Sequence, residues 1–177
     1  IIGLTDNTYA WYGYGDFNYV LFDNPYTGYT VPDGATIEKW SLNGNELVNV
    51  AFVDNDVYVQ DPVLGESGYW LKGAISGNKA TFSGMQYMGV NGDYTTHEFF
   101  LPATYTTYLD DEGKTQYTYT MADDIVFNYD KDAKKLTSAG DSTAFTFNGA
   151  PDEIYWITCY NDPVLKKFVE VAATPAD

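Results

Sequence analysis

The chain contains no arginine, a single cysteine and a single histidine among its 177 residues. All nine basic residues are lysines, set against 25 acidic ones, for a net charge of −16. Missing arginine removes the planar, bidentate clamp for phosphate or carboxylate. The negative excess repels nucleic acid and anionic membrane surfaces, so neither is expected as a partner. Cys159 has no partner for an intrachain disulfide. It lies in the apolar run Ile154–Tyr160, where a small core residue is expected rather than a nucleophile. His97 and Cys159 alone cannot assemble a zinc site. His97 also sits beside a candidate strand start and reads as a surface residue. No run of about 18 apolar residues occurs, which excludes a transmembrane helix. No dinucleotide or Walker fingerprint occurs, and Gly65-Glu66-Ser67-Gly68 closes one residue short of a nucleophile elbow. No catalytic residue, metal or cofactor is therefore expected.

What is present is β-forming. Aromatics make up 18% of the chain, with 17 Tyr, and 16 Gly supply turns. Tyr, Thr, Val and Phe suit a pleated, half-buried surface. Asn43-Gly44 separates two alternating runs, 37–42 and 46–53, and is the strongest short hairpin signal because both turn residues need φ > 0. Asp54-Asn55 then turns into 56–60. The loop 61–68 leads to a strand over 69–75, and Ser76-Gly77-Asn78 turns into 79–83. Strands joined this closely are antiparallel neighbours, which predicts a meander. Further strands are expected at 8–14, 17–22, 98–101, 104–109, 115–121, 125–129, 143–147, 154–160 and 167–173. Residues 130–135 read as a loop or one helical turn. Asp162-Pro163 offers a competing N-cap and N1 pair for a short helix, against which Val169 and Val171 argue for strand. The expected fold is all-β, an antiparallel meander forming a lipocalin-like barrel or a two-layer sandwich. It spans residues 1–177 as a single domain, or as two packed halves meeting near 91–103. One short repeat stands out: Asp61-Pro62-Val63-Leu64 recurs as Asp162-Pro163-Val164-Leu165.

Residues 50–60, with the Asp54-Asn55-Asp56 turn and Val57-Tyr58-Val59-Gln60, lead to Gly68-Tyr69-Trp70-Leu71-Lys72-Gly73. Gly77-Asn78 and Gln86-Tyr87 follow. This series resembles a recurring turn-and-strand pattern in secreted lipoproteins of gut Bacteroidetes, and 124–130 is similar to a later strand of those modules. The resemblance covers about a third of the chain. It implies an extracytoplasmic β-module, in the periplasm or on the bacterial surface, and supplies no catalytic residues. The opening Ile1-Ile2-Gly3-Leu4 carries no Met, so any targeting segment or lipid anchor is expected upstream.

Carboxylates for glycoside hydrolysis can be distant in sequence, and Glu38, Glu66, Glu98 and Glu153 are the candidates in principle. Asp54-Asn55-Asp56, Asp110-Asp111-Glu112 and Asp130-Lys131-Asp132 offer hard oxygen ligands, but none matches an EF-hand, and turn formation accounts for each. Aromatic rings carry the positive signal. Exposed Tyr and Trp stack on sugar faces while polar neighbours bond the hydroxyls. Trp11, Tyr12, Tyr14, Tyr58, Trp70 and Tyr87, with Glu66 in the adjoining loop, are the expected ligand-binding residues. The expected function is a non-catalytic surface module binding a glycan or other neutral ligand. Two alternatives are an adhesive module contacting a surface protein and a lipocalin-like carrier of a small apolar ligand.

Overall fold

The computed structural model describes residues 2–4, 8–10, 21–23, 26–63, 69–90, 97–148 and 156–169. Every regular element among them is a β-strand. Three short strands, β1 (Ile2–Leu4), β2 (Thr8–Ala10) and β3 (Leu21–Asp23), form a small antiparallel sheet. The meander follows as β4 (Ile37–Leu42), β5 (Glu46–Val53), β6 (Asp56–Gln60), β7 (Trp70–Ser76) and β8 (Lys79–Ser83). Asn43 and Gly44 take φ of 50° and 77°, the left-handed pair that an Asn-Gly hairpin demands.

The meander alone cannot close. Three later strands complete it: β12 (Asp124–Asp130), β13 (Lys135–Ser138) and β16 (Val164–Lys167). The closed barrel runs β12-β13-β16-β4-β5-β6-β7-β8. Alternate residues share a face, and each strand turns its apolar set inward. Trp40, Leu42, Val48, Val50, Val57, Val59, Leu71, Phe82, Ile125, Phe127, Leu136 and Leu165 are all buried in one cluster. Gly73 lies against Phe82, whose ring atoms stand 2.7 Å from where a Cβ would be. The barrel interior is thus filled by side chains.

A second sheet is built from β9 (Gln86–Val90), β10 (His97–Leu109), β11 (Thr115–Met121), β14 (Thr143–Asn148) and β15 (Trp156–Asn161), ordered β11-β10-β14-β15 with β9 also on β10. Met88, Phe100, Phe145 and Phe147 extend the barrel core into this sheet. Gln86 ties the two together. Its side-chain amide accepts from Lys72 N and donates to Lys72 O, both at 2.8 Å, replacing a ladder partner at the end of β7.

Several local expectations are corrected. Residues 98–101 and 104–109 are one strand, because Pro102 lies between the stretch paired with β9 and the stretch paired with β11, where no ladder N–H is required. Residues 86–90 and 135–138 are strands that local pattern did not mark. No helix opens at Asp162: its φ of 44° is left-handed, and Val164–Lys167 pairs with β13 and β4. Residues 170–173 lie outside the described set.

At one end of the barrel, Glu38 Oε1 accepts from Lys134 Nζ at 2.9 Å and from Lys167 Nζ. The Lys167 hydrogen bond, assisted by Lys134, holds the Glu38 carboxyl down at about 2. A depressed folded pKa means the stabilisation is full above the unfolded value and is lost as pH falls from about 4.5 toward 2. Both lysines are partly exposed. Glu38→Gln is therefore expected to cost about 1 kcal/mol at pH 7. Urea melts should show that deficit vanishing near pH 2.

Candidate functional site

Of the expected binding residues, the three that are described, Tyr58, Trp70 and Tyr87, do not form an open aromatic platform. Tyr58 and Trp70 are 6% and 8% exposed. They pack with Ala51 on the outside of β5–β7. The strap 26–36 covers them: Val31 and Ala35 pack there, and Trp70 N donates to Tyr29 O at 2.8 Å. Tyr87 is 4% exposed, inside a ring cluster with Tyr26, Tyr69, His97 and Phe99. Its hydroxyl lies 3.1 Å from His97 Nδ1. Strand alternation could not separate a ring facing solvent from one facing another segment of chain. Trp11, Tyr12, Tyr14 and Glu66 lie outside the described residues.

The exposed rings lie elsewhere. From Tyr105 to Leu109, β10 pairs only with β11 among the described strands, so the hairpin continues past the sheet as a two-stranded ribbon. Tyr105 lies opposite Tyr119, and Thr107 opposite Tyr117. Residues two apart share a face, so Tyr105, Tyr117 and Tyr119 stand together. Their ring centroids are 5.5 to 6.0 Å apart. Tyr117 is 45% exposed.

Beside this row lies a groove of about 360 Å³, lined by Thr137, Ser138, Gly140, Asp141, Ser142, Asp162 and Val164. Its size falls within the range of small-ligand sites. One hydrogen bond joins the rings to a groove-lining residue, and a second ties them to the residue preceding it. Tyr105 Oη donates to Asp162 Oδ2 at 2.5 Å, and Tyr119 Oη donates to Asn161 Oδ1 at 2.9 Å. The Asp162 contact pushes the Tyr105 hydroxyl up to about 12, and burial raises that of Tyr119, so both stay protonated. Ser142 and Asp162, neither of them glycine, hold positive φ of 54° and 44°. Thr143 N donates to Asp162 Oδ1, Asp162 N to Thr143 O, and Tyr105 N to Ser142 O. Left-handed residues of this type persist where their surroundings fix them, and such sites concentrate at ligand clamps. Asn161 and Asp162 occupy the link by which the chain leaves the second sheet for the barrel. Asn43 fixes that link by donating from Nδ2 to Asn161 O and accepting at Oδ1 from Val164 N.

Another groove, of about 370 Å³, has Lys72, Asp56, Gln86 and Tyr87 on its wall. Its charged and amide groups are already paired: Lys72 Nζ is 2.8 Å from Asp56, and Gln86 is bound to backbone. That leaves it less to offer a ligand than the Tyr105 groove.

One further constellation is chemically distinctive. Glu98 is fully buried in β10 at a β-bulge, and Asp61, at the end of β6, is 2% exposed. No donor among the described residues reaches either Glu98 oxygen. Two ionised carboxylates offer each other only acceptors, so the pair favours a protonated member. Burial first, then the charge and hydrogen bond of Asp61, push the Glu98 carboxyl to the alkaline side of neutrality. Tyr160 lies close enough to feel both acids, its hydroxyl pushed up to about 12 chiefly by burial. Neither acid lines either groove described above. The pair joins barrel to second sheet. Of the other carboxylate candidates, Glu38 is held in its lysine pair, and Glu66 and Glu153 lie outside the described residues.

Among the described residues no group of three or more His, Cys, Asp or Glu could hold a metal, and no helix is long and apolar enough to cross a membrane. The turn acids serve their turns: Asp110 accepts from the N–H groups of Glu112 and Lys114, and Asp130 from those of Asp132 and Ala133. Cys159 is half-buried, donates to Asn161 Oδ1 at 3.2 Å and has its thiol pKa raised by burial, the opposite of an activated nucleophile. Comparison with family models, with curated proteins and with solved structures finds no match to this chain.

Proposed function

We propose that this protein is a non-catalytic, extracytoplasmic β-module that binds a glycan along the Tyr105–Asp162 groove. The observation that carries the reading is the row of three tyrosine rings, hydrogen-bonded through Tyr105 to Asp162 in the wall of a groove of hydroxyls and carboxylates. Ring faces take the apolar side of a pyranose, while Asp162, Ser142 and Asp141 accept or donate to its hydroxyls. The extracytoplasmic placement rests on the sequence resemblance alone.

A glycan array followed by titration of hits tests this. Tyr117→Ala is expected to weaken binding about tenfold, the usual effect of removing a contact aromatic. Tyr108→Ala, equally exposed but on the opposite ribbon face, should leave binding unchanged. Equal losses from both variants would sink the proposal.

A second reading, adhesion by strand addition, is supported by β11. This strand is uncharged from Thr115 to Met121 and pairs only with β10 among the described strands. Such an edge accepts another strand. Thr118→Lys should abolish that association and spare glycan binding.

A further inference from the structure

We propose that the groove continues into an anion subsite formed by Lys135 and Lys166, and that its ligand is an acidic oligosaccharide whose carboxylate or sulfate binds there. This rests on the glycan reading above and extends it beyond neutral ligands.

The argument begins with the distribution of lysines. Acids outnumber lysines 25 to 9, so an unpaired lysine does not arise for want of partners. Lys72, Lys114, Lys134 and Lys167 are in ion pairs. Lys79 donates to Asn128 Oδ1, and Lys131 lies over the Tyr129 ring. Lys39, Lys135 and Lys166 carry no such contact among the described residues. They belong to β4, β13 and β16, which are consecutive in the barrel.

Lys135 and Lys166 are direct cross-strand partners. Like charges placed so are destabilising. They wall a cavity of about 430 Å³ with Ser41, Asn43, Gly44 and Val164. Val164 also walls the Tyr105 groove, so the two cavities adjoin. The run from rings through hydroxyls to ammonium groups would orient a ligand, with neutral sugars on the tyrosines and the anionic group on the lysines. The net charge of −16 does not forbid this. Charges farther off than the Debye length, about 8 Å at physiological salt, are largely screened, whereas contact pairs are not.

The experiment is an array of matched neutral and uronate- or sulfate-bearing oligosaccharides, probed with wild type, Lys135→Gln/Lys166→Gln and Tyr117→Ala. Acidic glycans should bind wild type. The double lysine variant should lose on the order of tenfold in affinity for them and nothing for neutral ones. The acidic interaction should also weaken with added NaCl. Tyr117→Ala should weaken both classes. Binding of neutral glycans alone, or acidic binding indifferent to the lysine substitutions, overturns the subsite and leaves the glycan reading standing. Failure of every glycan to bind overturns both. An unchanged melting temperature in the double variant shows that a loss of affinity is not unfolding.

Discussion

Glu98→Gln is expected to stabilise the folded protein by about 3 kcal/mol at pH 7. Unfolded Glu98 releases its proton near 4.5, whereas folded Glu98, buried against Asp61, holds it past neutrality. Between those two values the unfolded state binds fewer protons than the native state. Stability is therefore full below pH 4.5 and falls as pH rises, by about 1.4 kcal/mol per unit for this group. Glutamine is neutral at every pH and keeps an N–H donor for the Asp61 carboxylate, so it removes the penalty and preserves the contact. Other groups titrate over the same range, and the difference between variant and wild-type urea curves isolates this one. The gap should open from near zero at pH 4 and widen up to pH 8. Parallel curves would show that Glu98 ionises freely in the native state.

Phe145→Ala is expected to cost about 3–5 kcal/mol, the range for truncating a buried aromatic. Phe145 is 1% exposed and lies between layers. Its ring meets Phe82 and Phe127 of the barrel at 5.6 and 5.1 Å, and Phe100 of the second sheet at 5.0 Å. Two of these contacts are steeply edge-to-face, at 77° and 90°, a favoured aromatic geometry. The cavity left would fall at the joint between the sheets. Thermal melts should register the loss, and Phe145→Leu should recover a large part of it. A loss below about 1 kcal/mol would mean that the second sheet is not held by this contact.

How much of this was legible in sequence depended on range. The hairpins from Ile37 to Ser83 were readable because turn chemistry and alternation act over a few residues. Closure of the barrel by β12, β13 and β16 was not, since no local signal says that Lys135–Ser138 pairs with Val164–Lys167. The same limit governed the aromatics. Tyr58, Trp70 and Tyr117 all sit in alternating strands, yet the strap 26–36 covers the first two and leaves the third open. Two signals did point toward the groove. Tyr105, Tyr117 and Tyr119 interleave with Thr, as a pair with one wet face does. The repeated Asp-Pro-Val-Leu also places one aspartate at each important locus: Asp61 beside Glu98 and Asp162 beside Tyr105.

By itself the sequence determined the all-β class, the meander and its register, and that the single cysteine cannot form an intrachain disulfide. Those follow from residue counts, period-2 alternation and turn residues, which need no knowledge of distant segments. Only the tertiary structure decided which tyrosines face outward, that Glu98 meets Asp61, and that the unpaired Lys135 and Lys166 wall one cavity. Each of these depends on burial or proximity between residues far apart in the chain, which side-chain identity alone does not encode.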